Sequence, residues 1–312
     1  MWRGGIPVKG ISGLVAGPQC HYVIAMVLRT WRSKPPLKWL PLVGLPGKRP
    51  VVNVLRLEGP IMATSRFRRG LSLAGLEPLL ERAFSTGRPA ALALVVNSPG
   101  GSPVQSALIA ARIRTLADEK KLPVVAFAED VAASGGYWLA CSADEIYVNH
   151  SSIIGSIGVI HAGFGLHGLL EKHGIERRLH TAGDRKSMLD PFVPESEQDV
   201  KRLSALLKEL HVTFRNHVRE RRGDRLKSSA RTLFSGEFWT GDRALALGLV
   251  DGIGDCRSVM RERFGDNVRF RTIARRQPLG GLVGRSMVST DGLADDLVGA
   301  VEERFLWQRY GL

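Results

Sequence analysis

Apolar positions along this chain switch repeatedly between a strand period and a helix period. Val51 to Leu57 reads as a strand. Ser72 to Phe84 then places Leu73, Leu76, Leu79, Leu80 and Phe84 at three- and four-residue spacing, the stripe of a helix. Ala90 to Val96 is continuously apolar, as in a strand covered on both faces. The turn Asn97-Ser98-Pro99-Gly100-Gly101 follows, and a helix is predicted from Pro103 to about Lys120. Its start is well marked: Ser102 can N-cap it, Pro103 suits the first helical position, and Gln105 completes a capping box. Pro123 to Glu129 predicts the next strand, Tyr137 to Cys141 a helical run, and Ile146 to Val148 a short strand. Strand–helix alternation of this kind predicts an α/β fold with a largely parallel sheet.

Beyond this core the pattern thins. Leu166 to His173 reads as a short helix ended by Gly174, and Arg177 to Thr181 as a strand. Thr181 to Ser187 is rich in turn formers. Glu195 to Arg222 is a long amphipathic helix, with Leu203, Leu206, Leu207, Leu210, Phe214 and Val218 along one face. Thr240-Gly241-Asp242-Arg243-Ala244 is a capped helix start. Arg275 to Thr290 reads as a basic linker and Leu293 to Trp307 as a last amphipathic helix. The chain therefore divides into an extension (1–50), one globular domain (51–274) and a linker with a C-terminal helix (275–312).

Composition changes the picture mainly at the N-terminus. Of 312 residues 44% are hydrophobic, enough for a sizeable core. The net charge is +14, but residues 1–57 hold nine Lys/Arg and no Asp/Glu, so the remaining 255 carry only +5. No nucleic-acid-binding motif accompanies the charge, and no nucleic-acid partner is expected. Tyr22 to Leu28 is too short to span a bilayer, which takes about 20 apolar residues. It has the length of a signal-peptide core without a clear small-residue cleavage site, the surrounding composition is also that of an organelle presequence, and a start at Met26 is a further alternative. Trp31 to Pro50 reads equally as a peripheral membrane contact or as a disordered tail. Cys20, Cys141 and Cys256 form neither a disulfide framework nor a CxxC metal pair, and no metal or cofactor is expected.

The candidate chemistry lies in two glycine-rich turns that each follow a predicted buried strand. On neighbouring parallel strands such turns emerge at one edge of the sheet, where α/β proteins bind ligands. In Val131-Ala132-Ala133-Ser134-Gly135-Gly136 the serine stands where strand becomes helix, as a nucleophile would, although Ala132 replaces the first glycine of a GxSxG elbow. The N–H groups of Gly100 or Gly101 and of Gly135 could converge on one oxygen beside it. Small residues here also suit plain helix-on-sheet packing. A serine needs a base, and none of the eight histidines lies in an evident motif. A lysine could serve if its ordinary pKa near 10.4 fell by roughly three units, which disfavours the charge by about 4–5 kcal/mol. Lys186, with Met188 and Leu189 nearby and Ser156 as a candidate hydroxyl partner, reads by itself as one lysine in a charged loop.

Five stretches in order, Asn97–Gly101, Ala133–Tyr137, Gly155–Val159, Gly183–Lys186 and Gly248–Asp251, resemble the bacterial signal peptide peptidase family, or protease IV, of Ser/Lys-dyad serine peptidases. The resemblance runs from about Val51 to Gly265. It implies Ser134 as nucleophile, Lys186 as general base 52 residues later, Ser156 as the hydroxyl that orients the lysine amine, and Gly100 and Gly135 as oxyanion-hole donors. Gly101 and Gly136 would flank the substrate groove. The implied fold is the Clp/crotonase-like α/β spiral in its single-length form, assembled as a homo-oligomeric ring or dome whose active sites take Ser and Lys from neighbouring protomers. The implied substrates are cleaved signal peptides and other short hydrophobic peptides. The family's usual N-terminal transmembrane helix is not evident in the sequence, which makes a bacterial inner-membrane surface or the cytoplasm the expected location. Two other readings stand beside this one: a crotonase-like acyl-CoA enzyme, which would need carboxylate catalysts, and a non-catalytic membrane-associated scaffold.

Overall fold

A computed structural model describes residues 49–62, 70–275 and 304–312. The expected extension up to residue 48, and residues 293–303 of the expected last helix, lie outside them. The chain runs β1 (Val51–Glu58), α1 (Leu73–Ser85), β2 (Ala91–Ser98), α2 (Pro103–Lys120), β3 (Val124–Ala133), α3 (Gly135–Ala140), β4 (Glu145–Val148) and β5 (Ile153–Gly155). It continues with α4 (His167–Lys172), α5 (Glu197–Arg222), α6 (Ala230–Leu233), β6 (Phe238–Thr240), α7 (Gly241–Leu247), β7 (Gly252–Ile253), α8 (Cys256–Phe264) and β8 (Arg269–Ile273), with residues 304–308 helical near the C-terminus. Strands and helices alternate along the chain, the α/β order that the apolar pattern predicts.

The sheet follows the order β6-β5-β3-β2-β1-β8, with β4 on the first half of β3 and β7 on β4. All pairs are parallel except β5–β6. The unbroken apolar run of β2 is explained by its central place between β1 and β3. Helices α1, α2 and α3 bury Leu76, Leu80, Phe84, Ile109, Ile113 and Leu139 in the core. Ser102 caps α2 through its side chain, accepting from the Gln105 N–H, as its sequence predicts.

One irregularity in the sheet decides where the site forms. Val96 pairs with Ala128, but Ser98 pairs with Ala132, so β3 carries extra residues against β2. The bulge is pinned by Asn97, which donates to Asp130 Oδ2 (2.8 Å) and accepts from the Val131 N–H (3.1 Å). Such a bulge bends the strand and re-aims the residues beyond it. There β3 changes partner, from β4 to β5. The strand expected to stop at Glu129 therefore continues to Ala133 and delivers Ser134 at its tip.

The α5 helix spans 26 residues, yet only Phe214, Val218 and Arg222 are buried. Its last turns pack on the body; its first half is largely exposed, as is the segment 159–196. The strand expected at Arg177–Thr181 does not form: these residues are exposed and find no sheet edge to pair with, and Arg177 instead pairs with Asp190 (2.8 Å). At its other end α5 is locked by Arg222, 2% exposed, whose guanidinium donates to Asp251 (2.6 Å) and to Gly248 O (2.9 and 3.1 Å). Asp251 also accepts from the Ile146 N–H, so the Gly248–Asp251 stretch works as a structural clasp. Breaking one side of a buried pair leaves the other charge stranded. Arg222→Ala is expected to lower unfolding free energy by about 3–5 kcal/mol, read as a lower denaturant midpoint at unchanged slope.

Candidate active site

Ser134 is held at the end of β3 by its neighbours on β5: Ala132 pairs with Ile154, Ala133 with Gly155, and the Ser134 N–H donates to Gly155 O (2.8 Å). Its backbone sits at φ 52°, ψ −121°, a region that L-residues rarely adopt. Holding a non-glycine residue there costs about 1–3 kcal/mol and marks sites where a side chain is presented for use. The side chain makes no capping bond to its own helix. Helix α3 starts one residue later, at Gly135 rather than at Tyr137 as expected, because two glycines allow it to close on β2. A methyl group at Gly136 would lie 2.4 Å from Ser98 O. Tyr137, fully buried, fixes the helix from below by donating to Leu249 O (2.7 Å).

The two glycine turns meet. A methyl group at Gly100 would lie 2.7 Å from the Gly135 nitrogen and 2.8 Å from Ser134 Cβ. Gly100 has φ 97°, and its own N–H donates to Ser98 Oγ (3.2 Å). Gly101, Ser134, Gly135, Trp138 and Ser156 line one cleft of about 420 Å3, with Leu210 and Phe214 of α5 as apolar wall. Gly136 lies behind this surface, against Ser98. Ser156 ends β5 as Ser134 ends β3, with the same φ of 52°, and is 5% exposed. Its N–H donates to Glu237 O (2.7 Å). The structure thus brings five of the predicted residues, Gly100, Gly101, Ser134, Gly135 and Ser156, to one place.

Lys186 is not among them. It sits in a turn of the exposed segment 159–196 and does not line the cleft. The apolar burial that its Met188 and Leu189 neighbours suggested is not found within one chain: Met188 is itself 38% exposed. Histidines do not fill the gap. His217 stacks on Trp138 (4.9 Å) with Nε2 3.2 Å from Trp138 O, and burial holds its pKa below the usual imidazole value. His211 Nε2 lies 3.1 Å from Ile157 O, and His150 pairs with Asp242 on the surface. None of the three lines the cleft. Sequence reasoning missed three residues that shape the site. Asn97 and Tyr137 stand within the stretches that carry the resemblance but have no role of their own there, and Tyr310, whose ring packs on Val131 and Ala133, carries no local signal.

Comparison with known proteins meets this geometry. The profile of Peptidase family S49 matches residues 116–264. A Synechocystis protein named as a protease, slr0021, is 34% identical over 236 residues, covering 71% of this chain and 80% of that one. The chain belongs to peptidase family S49. The signal peptide peptidase SppA of Enterococcus faecium, a name given provisionally, is 36% identical over 164 residues, 52% of this chain and 46% of that one. A Brucella abortus protein named Na(+)/H(+) antiporter NhaA is 48% identical over 275 residues, 84% of this chain but 37% of that one. The chain thus spans little more than a third of the Brucella protein's length. Among the described residues no helix is long and apolar enough to cross a membrane.

Proposed function

We propose that this S49 chain hydrolyses peptide bonds through a Ser134 acyl-enzyme, with Lys186 of a neighbouring protomer as general base. The observation that carries the reading is the strained Ser134 at the tip of β3, facing a cleft it shares with Ser156. The neutral Lys186 amine takes the Ser134 proton as Oγ attacks the substrate carbonyl. The N–H groups of Gly135 and Gly100 receive the developing oxyanion, Gly100 releasing Ser98 Oγ to do so. The lysine ammonium then protonates the leaving amine, and the C–N bond breaks. In the second half the lysine amine takes a proton from water as the water oxygen attacks the acyl carbon, the lysine ammonium returns that proton to Ser134 Oγ as the ester C–O bond breaks, and the carboxyl product leaves. Ser156 Oγ orients the amine throughout.

Supply of the lysine from a second copy is supported by where apolar surface is exposed. Of the fifteen large hydrophobic residues exposed among the described residues, ten lie between 160 and 212, including Ile160, Phe164, Leu169 and Ile175. A contiguous stretch of this kind marks an interaction surface, and packing it against a neighbour would give Lys186 the apolar environment that lowers an amine's pKa. A ring or dome uses one such interface repeatedly. The apolar cleft walls suit short hydrophobic peptides, cleaved signal peptides among them, and the basic residues 1–50 suit contact with an anionic membrane surface.

The test is hydrolysis of a panel of short hydrophobic fluorogenic peptides by the full chain. Ser134→Ala is expected to reduce kcat by about 10^4-fold or more. Equal hydrolysis by parent and variant would sink the assignment.

A further inference from the structure

A second cavity lies on the face of the sheet turned away from α1, α2 and α3. Leu55, Val96 and Ala126 point into the core, so the residues that alternate with them, Val54, Val95 and Phe127, point the other way. With Phe270 of β8 they form the apolar floor of a cavity of about 700 Å3, the size of a ligand site. It shares no lining residue with the cleft at Ser134. Most of the charge on its rim is already satisfied. Arg56 and Glu129 pair with each other (2.9 Å). Asp255 caps α8, one oxygen accepting from the N–H groups of Arg257 and Ser258 (2.8 and 3.1 Å) and the other from the Ser258 hydroxyl. Two lining groups of opposite sign are left. The Arg257 guanidinium lies over the Phe270 ring, 5.4 Å from its centroid, and meets no carboxylate among the described residues. Asp130 Oδ2 accepts from the Asn97 amide (2.8 Å), and the carboxylate has no cationic partner among the described residues.

An apolar floor with one unpaired guanidinium and one unpaired carboxylate is complementary to a zwitterion with an apolar body. Short hydrophobic peptides with free ends have that form, and a peptidase releases them: each cleavage creates a new α-ammonium and a new α-carboxylate. We propose that this cavity binds short hydrophobic peptides with free termini, the carboxylate at Arg257 and the ammonium at Asp130. A guanidinium can hold a carboxylate through two parallel N–H donors. The volume exceeds what one amino acid fills, which favours a peptide over a free amino acid. Asp130 also holds Asn97, which pins the bulge in β3, so the peptide sits on the back of the strand that presents Ser134. The inference goes beyond the acyl-enzyme reading, because the cavity uses neither Ser134 nor its cleft.

Cys256 lines the cavity and can report on it. Burial pushes its thiol up to about 11, so labelling is slow and protection by a ligand can be timed. The experiment follows N-ethylmaleimide labelling of Cys256, by mass spectrometry of the peptide that carries it, in the full chain with Ser134→Ala so that nothing is cleaved. Trileucine with free ends is expected to slow labelling about tenfold at ten times its dissociation constant. Trileucine with an acetylated amine and an amidated carboxyl is expected to need a concentration about tenfold higher or more for the same protection. Arg257→Ala and Asp130→Asn are each expected to raise the half-protecting concentration about tenfold; the second keeps an oxygen for the Asn97 amide. Unslowed labelling at millimolar trileucine, equal protection by the end-blocked peptide, or protection unchanged by either substitution overturns the proposal. Protection of Cys256 by trileucine with no peptide hydrolysis by the Ser134 protein would keep this site and overturn the acyl-enzyme reading instead.

Discussion

Ser134→Ala and Lys186→Ala proteins, each inactive alone, are expected to recover activity when dissociated together and reassembled. In a ring with each site shared by two neighbours, a one-to-one mixture gives about a quarter of sites an intact Ser134 and an intact Lys186. Activity should therefore return to about a quarter of the parent's, with the parent's KM. The expectation comes from the placement of the two groups. Ser134 lines the cleft, while Lys186 lies exposed in the segment 159–196, outside it. Mixtures that stay inactive while forming mixed oligomers, shown by differential tags, would place the base within one chain. Lys186→Ala with full activity would remove the lysine from the mechanism.

The second large effect is expected at Gly100. Gly100→Ala should lower kcat by about 10^2–10^3-fold, the usual consequence of losing one oxyanion donor, with a smaller change in KM. Two features oppose a side chain here. The backbone stands at φ 97°, where only glycine is comfortable, and the new methyl would meet Gly135 N, Ser134 Cβ and Ala133 O at 2.7–2.9 Å. Those three atoms belong to fixed backbone or to the nucleophile, so relief can come only by separating the two turns. Ser98→Ala is the control: it frees the Gly100 N–H from its 3.2 Å bond to Ser98 Oγ and should leave kcat largely intact. A Gly100→Ala protein with normal kcat would show that this turn does not serve the oxyanion.

Much of the strand–turn–helix around Ser134 was legible because its signals are local. The apolar run of β2, the Ser102 cap of α2 and the small residues around Ser134 each state a backbone requirement within a few positions. The end of β3 and the start of α3 were misplaced because a bulge and a change of strand partner at Glu129–Val131 decide them, and both depend on residues far off in sequence. The strand expected at Arg177–Thr181 failed for the related reason that β-favouring side chains need an edge to pair with.

The sequence by itself determined the α/β order of elements, the small-residue turn that holds Ser134 and the five motifs that tie the chain to its family. These are set by the spacing of side chains along a helix or strand, which needs no knowledge of the rest of the molecule. The tertiary structure alone decided that Asn97 bends β3 to bring two turns together, that Gly248–Asp251 clasps Arg222, that Lys186 stands outside the cleft, and that Tyr310 packs on the end of β3 with its hydroxyl at Ser156. Each of these is a meeting of residues distant in the chain, fixed by which surfaces remain to be covered once the sheet has formed, and no local periodicity encodes it.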